Sequence, residues 1–285
     1  MPEFAVTDPV ALERLREVRG FVLDMDGTLV LGDRNNQGLN PLPGALGFVQ
    51  TLVDLDLPFC ILTNGTTRTP EQYADSLRHV GFPVTADRML TPTSAAVELF
   101  VERGYRRVMV LGGKGITEPL EAAGVEALPP LRGTSVDAVM VGWFRQELTF
   151  DALEAAVFAV FDGADFYSAS QSLFFATAEG RSLGTSRAIS AVVTDITGCA
   201  VTVVGKPSLE ALQTAARRLG LAPSELAVVG DDPELEVPMA HRGGALAVAV
   251  HTGIGHAESF TDRAADARPH LDLPDVGELA RLLRG

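Results

Sequence analysis

Cysteine is nearly absent from this chain: Cys60 and Cys199 are the only two in 285 residues. So few, so far apart, exclude a disulfide framework and a cysteine-based zinc site. Cys60 sits in an apolar run and reads as a small core residue. Tryptophan occurs once, at Trp143, and aromatic residues make up 6% of the chain. Basic residues are in the minority: 23 Lys and Arg face 37 Asp and Glu, for a formal net charge of −14. That balance argues against a nucleic-acid or anionic-membrane partner, while leaving room for a small anionic substrate held by a few local cations. No apolar run approaches the roughly 18 residues that span a bilayer. The first twenty residues place charges at helical spacing where a secretory signal needs an apolar core, so a cytoplasmic location is expected. The hydrophobic content of 46% is that of an ordinary globular protein, and the length suits one large domain or two medium ones.

What is present is an alternation. Short apolar runs, Gly20–Leu23, Phe59–Leu62, Val108–Leu111, Val136–Val141, Phe166–Ser168, Thr202–Gly205, Leu226–Gly230 and Ala245–Val250, read as buried strands. Between them lie segments of helical period: Asp8–Arg19, Leu42–Leu55, Thr69–Val80, Thr93–Arg103, Glu118–Ala123, Phe150–Phe161, Thr185–Thr194, Ser208–Leu219, Pro238–Arg242 and Val276–Leu283. Strands alternating with helices predict parallel sheets covered on both faces. Two such runs fit in this length, and no internal repeat is apparent.

Three of the strands end in polar residues: Asp24 and Asp26, Thr63 and Asn64, Asp231 and Asp232. A fourth polar set, Gly205-Lys206-Pro207-Ser208, stands where a strand gives way to a helix. In an open parallel sheet the carboxyl ends of the strands are where ligands bind. A carboxylate there can attack phosphorus, a second can protonate the leaving oxygen and later activate water, and a hydroxyl, an amide and an ammonium can bind the phosphoryl oxygens. A Mg²⁺ ion held by carboxylates would offset the repulsion between an anionic nucleophile and an anionic substrate.

In this order, Asp24-Met25-Asp26-Gly27-Thr28, Thr63-Asn64, Gly205-Lys206-Pro207-Ser208 and Gly230-Asp231-Asp232 closely resemble the four motifs of the haloacid dehalogenase superfamily of phosphotransferases. The Thr-Asn pair, the Gly-Lys-Pro-Ser form and the long insertion between the second and third motifs resemble its class IIA, NagD-like branch, whose members hydrolyse p-nitrophenyl phosphate, sugar phosphates, glycerol phosphates, nucleotides and pyridoxal phosphate. The resemblance implies a Rossmann-like, doubly wound α/β core with an inserted α/β cap: residues 1–68 and 202–285 as core, 69–201 as cap. It implies Mg²⁺-dependent hydrolysis of a small phosphate monoester through an aspartyl-phosphate. Asp24 would be the nucleophile and Asp26 the acid/base. Asp24, Asp231 and the Asp26 carbonyl would bind the metal, and Gly27, Thr63, Asn64, Gly65 and Lys206 the phosphate. Asp232 and Glu236 would stand behind them. Arg68, Arg181 and Arg187 are candidates for the distal part of the substrate, and pairing of caps into a homodimer is expected.

The match has departures. The branch usually has Asp where this chain has Glu236, one methylene longer, and Glu234 is a rival for that place. The loop Leu31–Asn40 is long for the flap beside the nucleophile. In the cap, Val141-Gly142-Trp143-Phe144-Arg145 lacks an expected Asp, and Ser168-Ala169-Ser170-Gln171-Ser172 replaces an Asn-Pro-Asp pattern. These departures motivate an alternative: a catalytically weak relative that binds a phosphorylated metabolite as a regulator. A phosphomutase or a dehalogenase fits less well, the first on the cap's position, the second because it has no use for Asp26 or Mg²⁺. The Gly-rich run Leu111–Gly115 lacks the spacing of a nucleotide-cradling loop and reads as a turn. The five histidines show no metal-binding spacing, and His251 reads as a surface residue; Trp143 reads as packing.

Overall fold

The computed structural model describes residues 9–33, 37–178, 180–255, 259–260, 263–264 and 267–285. Asp8, residues 34–36 of the long loop and Glu179 lie outside them. Two parallel sheets dominate. The first has six strands, in the order Leu271–Leu273, Leu246–Val250, Leu226–Gly230, Gly20–Leu23, Phe59–Leu62 and Met89–Leu90. Its central strand shows why the runs are apolar throughout: Phe21 and Leu23 enter the core on one face, Val22 the core on the other. A strand covered on both sides has no polar face. Here all four residues of Gly20–Leu23 and of Phe59–Leu62 are buried.

The second sheet has five strands, in the order Thr202–Val203, Asp165–Ser168, Ala138–Val141, Arg107–Leu111 and Glu126–Leu128. It is covered the same way, with Val139 and Val141 packed on one face and Ala138 and Met140 on the other. Together the two sheets and their helices form the expected Rossmann-like α/β architecture.

The domain boundaries read from sequence need two corrections. Residues 69–90 were assigned to the insertion, yet Met89–Leu90 pairs with Phe59–Leu62, and Tyr73, Leu77, Phe82 and Val84 fill the first sheet's core. A two-residue strand has no period to read, which is why this edge strand was not seen. Thr202–Val203 was assigned to the first unit, yet it pairs with Tyr167 and Ser168 of the second sheet. Lys206 therefore reaches the site from the second sheet's edge, not from a strand end of the first.

Helix starts follow local chemistry. Thr69 caps Pro70–His79: its hydroxyl accepts from Gln72 N, and the Gln72 side chain accepts in return from Thr69 N. Ser208 caps Leu209–Leu219 through Ala211 N, which fixes the chain just after Lys206. One hairpin, Phe174–Thr177 with Gly180–Leu183, escaped the sequence reading. It reaches from the second sheet to the first unit, where Ala178 N donates to Gly32 O at 2.8 Å. Among the described residues, no helix is long and apolar enough to cross a membrane.

Candidate active site

Where strand Gly20–Leu23 ends, the chain turns and brings Asp24 and Asp26 to the sheet edge. Gly27 makes the turn possible in two ways. Its φ of +93° is a region that L side chains rarely adopt, and a Cβ there would stand 2.5 Å from Asp231 Oδ2. The neighbouring strand Leu226–Gly230 delivers Asp231 alongside. Thr28 Oγ1 lies between the two carboxylates, 3.1 Å from Asp24 Oδ2 and 3.4 Å from Asp231 Oδ1. The loop after strand Leu246–Val250 closes the third side. Ile254 N donates to Asp231 Oδ2 at 2.7 Å, and Thr252 Oγ1 donates to Gly27 O at 2.6 Å. Sequence reasoning missed this loop, although Gly253 and Gly255 directly after a strong strand were its signal: a Cβ on Gly253 would meet Asp231 at 1.8 Å.

Lys206 is 2% exposed and its ammonium is shared between two carboxylates, Asp24 Oδ1 and Glu236 Oε1, the latter at 2.6 Å. Burial alone would lower its pKa; the two anions overcome that and hold it above the usual lysine range. Glu236, 1% exposed, is pushed upward by burial against the opposing pull of Lys206, with Asp24 and Asp232 adding to the rise. Its second oxygen accepts from Asp232 N at 3.2 Å. Glu236 is thus a direct partner of the lysine. Its rival Glu234 turns outward to Arg263 and takes no part.

Asn64 has a different position from the one expected. Its Oδ1 accepts from Lys206 N at 2.8 Å, and its Nδ2 donates to Lys206 O and to Ser170 Oγ, both at 3.0 Å. The amide side chain is fully engaged in clamping the Lys206 backbone, so it is not free to hold phosphate. The N–H groups of Gly27 and Gly65 are also committed, to Val30 O and to Thr63 Oγ1 at 2.9 Å each. Thr63 Oγ1 in turn lies 3.4 Å from Asp26 Oδ2. The Asp26 carboxyl is raised to about 7, by burial first and by the Asp24 charge second, with Lys206, Thr63 and Arg68 opposing.

The donors fit a hard divalent cation. Asp24 and Asp231 offer carboxylate oxygens around one hydroxyl, and Asp231 is raised well above the usual carboxylate range by burial, by Asp24 and by Glu236. A cation between them would relieve that repulsion. Among the described residues no group of three or more His, Cys, Asp or Glu side chains forms a metal cage.

These groups floor a cleft whose far wall comes from the loops, hairpin and helix attached to the second sheet and includes Trp143, Ser170, Ser172, Phe174, Phe175 and Thr185. None of the three arginines expected to bind the substrate's distal part lines it. Arg187 donates to Gln171 Oε1, Arg181 crosses the mouth to Ile254 O at 3.2 Å, and Arg68 packs over the Tyr73 ring. Trp143, read as packing, is on the cleft wall instead.

A Rossmann-like core with carboxylates, a threonine and a buried lysine at its strand ends defines a hydrolase of the haloacid dehalogenase type. Family models agree: the haloacid dehalogenase-like hydrolase model matches residues 21–126 and a HAD-hydrolase-like model residues 203–279. The chain is 29% identical over 249 residues to the 5'-nucleotidase YutF of Bacillus subtilis, covering 87% of this chain and 93% of that one. It is 27% identical over 265 residues to the acid sugar phosphatase of Staphylococcus aureus, covering 93% and 97%. Among solved structures, the 4-nitrophenylphosphatase of Thermotoga maritima superposes with a TM-score of 0.83 at 25% identity, over 94% of this chain and 98% of that one. A thermostable NPPase from Geobacillus stearothermophilus gives 0.79 at 27%, over 92% and 98%. The chain belongs to the haloacid dehalogenase superfamily, in its class IIA, NagD-like branch of phosphoric monoester hydrolases.

Proposed function

We propose that this protein hydrolyses a small phosphate monoester through a phosphorylated Asp24. One observation carries the reading: two neighbouring carboxyl groups stand in opposite roles. Asp24 is ion-paired with Lys206, whereas Asp26 is raised to about 7 by burial and by the Asp24 charge. A carboxylate held in an ion pair beside an acid that can keep its proton near neutral pH supplies a nucleophile and a proton carrier.

The Asp24 carboxylate attacks phosphorus while Asp26 gives its proton to the leaving alcohol oxygen, whose bond to phosphorus breaks. Asp26, now anionic, then takes a proton from the water that attacks the acyl phosphate, which returns Asp24 and releases inorganic phosphate. Lys206 and Thr63 hold phosphoryl oxygens; Asn64 keeps Lys206 in place through its backbone. Mg²⁺, held by Asp24, Asp231 and the Asp26 carbonyl, would when bound neutralise the charge gathered between carboxylates and phosphate. The unit built on the five-stranded sheet serves as the cap that covers the cleft and selects the alcohol. Its helices Phe150–Phe161 and Thr185–Thr197 leave Phe150, Phe161 and Ile196 exposed, a face suited to the cap-to-cap homodimer that light scattering would reveal.

Asp24→Asn should abolish release of p-nitrophenol from p-nitrophenyl phosphate in Mg²⁺; full activity in that variant sinks the proposal. A purely regulatory binding role finds less support, because the nucleophile, the acid, the lysine and Asp231 all stand together in the same cleft, and Glu236 engages the lysine.

A further inference from the structure

Asp24 and Asp231 stand at the ends of two different strands, and their carboxylates carry like charges. Pairing of the strands, with Leu23 opposite Val229, fixes the backbones. It does not by itself fix the spacing of two side chains that repel each other. The loop His251–Gly255, directly after strand Leu246–Val250, bridges them. Thr252 Oγ1 donates to Gly27 O at 2.6 Å, which ties the loop to the turn carrying Asp24 and Asp26. Two residues on, Ile254 N donates to Asp231 Oδ2 at 2.7 Å. Between them Gly253 packs on both partners at once: a Cβ there would stand 1.8 Å from Asp231 Oδ2 and 2.8 Å from the Gly27 Cα. With Oδ2 engaged by the loop, Oδ1 is turned toward the Thr28 hydroxyl, which also meets Asp24.

The base of the loop is anchored away from the cleft. His251, read from sequence as a surface residue, has a side chain only 10% exposed, and its Nε2 pairs with Asp272 Oδ1. Its backbone N donates to Pro274 O at 3.4 Å. Its ring meets the buried Phe260 edge to face, with centroids 5.5 Å apart and an interplanar angle of 82°. On the outer side, Arg181 of the cap hairpin reaches Ile254 O at 3.2 Å. The loop thus has a fixed base and two short hydrogen bonds from its tip, one to each of the two strand ends that carry the carboxylates.

We propose that Thr252 is a positioning residue: its hydroxyl, together with the Ile254 N–H, clamps the Asp24 turn to Asp231 and sets the spacing of the two carboxylates for a divalent cation. The clamp opposes their repulsion before a cation arrives, so less of the cation's binding energy is spent on drawing them together. Thr252 acts through the Gly27 carbonyl, not by contact with the reacting atoms. This rests on the phosphatase reading above and adds the residue that readies its cation site.

The test measures binding of Mn²⁺, as a probe of the Mg²⁺ site, through the electron paramagnetic resonance signal of the free ion, with no substrate present. The proteins are the wild type, Thr252→Val, Thr252→Ala, Thr252→Ser and Asp231→Asn, each shown to be folded by a thermal scan. The wild type should bind Mn²⁺, and Asp231→Asn should lose most of that binding. Thr252→Val keeps the shape and loses the donor, so it should bind about fivefold more weakly, the equivalent of one hydrogen bond of about 1 kcal/mol. Thr252→Ser keeps the hydroxyl and should recover most of the affinity. The Mg²⁺ concentration that gives half-maximal p-nitrophenol release should rise about fivefold in Thr252→Val as well. Thr252→Ala carries the test should Thr252→Val fail to fold. Unchanged Mn²⁺ affinity in the folded Thr252→Val or Thr252→Ala protein, a loss that Thr252→Ser shares in full, or full Mn²⁺ binding in Asp231→Asn overturns the clamp and leaves the phosphatase reading intact. Absence of bound Mn²⁺ in the wild type also overturns the clamp; if p-nitrophenyl phosphate is left uncleaved too, the phosphatase reading falls with it.

Discussion

Replacing Glu236 with the aspartate usual in this branch should harm the enzyme. In this fold the Glu236 carboxylate reaches Lys206 Nζ at 2.6 Å, with both side chains almost completely buried. Removing one methylene withdraws the carboxylate by about 1.5 Å, to about 4 Å. At an effective dielectric constant of about 20, opposite unit charges attract by about 6 kcal/mol at the first separation and about 4 kcal/mol at the second, a loss of about 2 kcal/mol. For a chain of this size that lowers the thermal midpoint by about 4–8 °C. Catalysis should fall as well. With its second partner gone, the Lys206 ammonium closes on Asp24, the proposed nucleophile, and each 1.36 kcal/mol carried into the transition state is tenfold in rate. Glu236→Asp should therefore lose about ten- to thirtyfold in kcat/KM for p-nitrophenyl phosphate. The assay is a calorimetric scan beside steady-state kinetics at pH 7.5, with Glu234→Asp as control, because Glu234 is exposed and paired with Arg263. A Glu236→Asp protein with unchanged midpoint and unchanged kcat/KM would refute the claim that Glu236 holds the lysine.

Asn64→Ala removes the hydrogen bonds that clamp the Lys206 backbone; at about 1 kcal/mol each, KM for p-nitrophenyl phosphate should rise about tenfold in steady-state assays, with a smaller change in kcat. Chelation of divalent metal should abolish p-nitrophenol release, and added Mg²⁺ should restore it. His270 is pushed down to about 4 by burial, by Arg14 and by His241, and its Nδ1 accepts from Ala247 N at 2.8 Å. The unfolded chain binds this proton near pH 6.5 and the folded chain only near pH 4. Its contribution to stability is thus complete above about pH 6.5 and is lost as the pH falls toward 4, by at most about 1.4 kcal/mol per pH unit. Urea midpoints should fall across that window in the wild type and fall less in His270→Asn.

The strand ends were legible because a strand buried on both faces must be apolar, so Asp24, Thr63 and Asp231 mark where burial stops. The roles of those residues were legible only through the spacing of all four motifs. What was hidden depends on contacts distant in sequence. Nothing near Thr202 says which sheet it joins, and nothing near Asn64 says that its amide will be taken up by the Lys206 backbone. Met89–Leu90 and Glu126–Leu128 are too short to show a period. The hairpin Phe174–Leu183 has apolar residues on its exposed positions, which blurs the alternation that marks an ordinary strand pair. Glu236 was recognised as a departure, but a sequence gives no distance, and its direct pairing with the lysine follows from the helix Glu236–Gly243 starting beside the site.

Covalent chemistry at Asp24 is tested most directly by trapping it. In Asp26→Asn, p-nitrophenolate still leaves from p-nitrophenyl phosphate because it needs little help from an acid, whereas the water that frees Asp24 has lost its base. Mixing this variant with p-nitrophenyl phosphate and Mg²⁺, quenching in acid and mapping peptides by mass spectrometry should show phosphate on the peptide containing Asp24, with a burst of p-nitrophenol equal to the enzyme present. The contradicting result is steady turnover with no burst and no phosphorylated peptide, together with undiminished activity in Asp24→Asn.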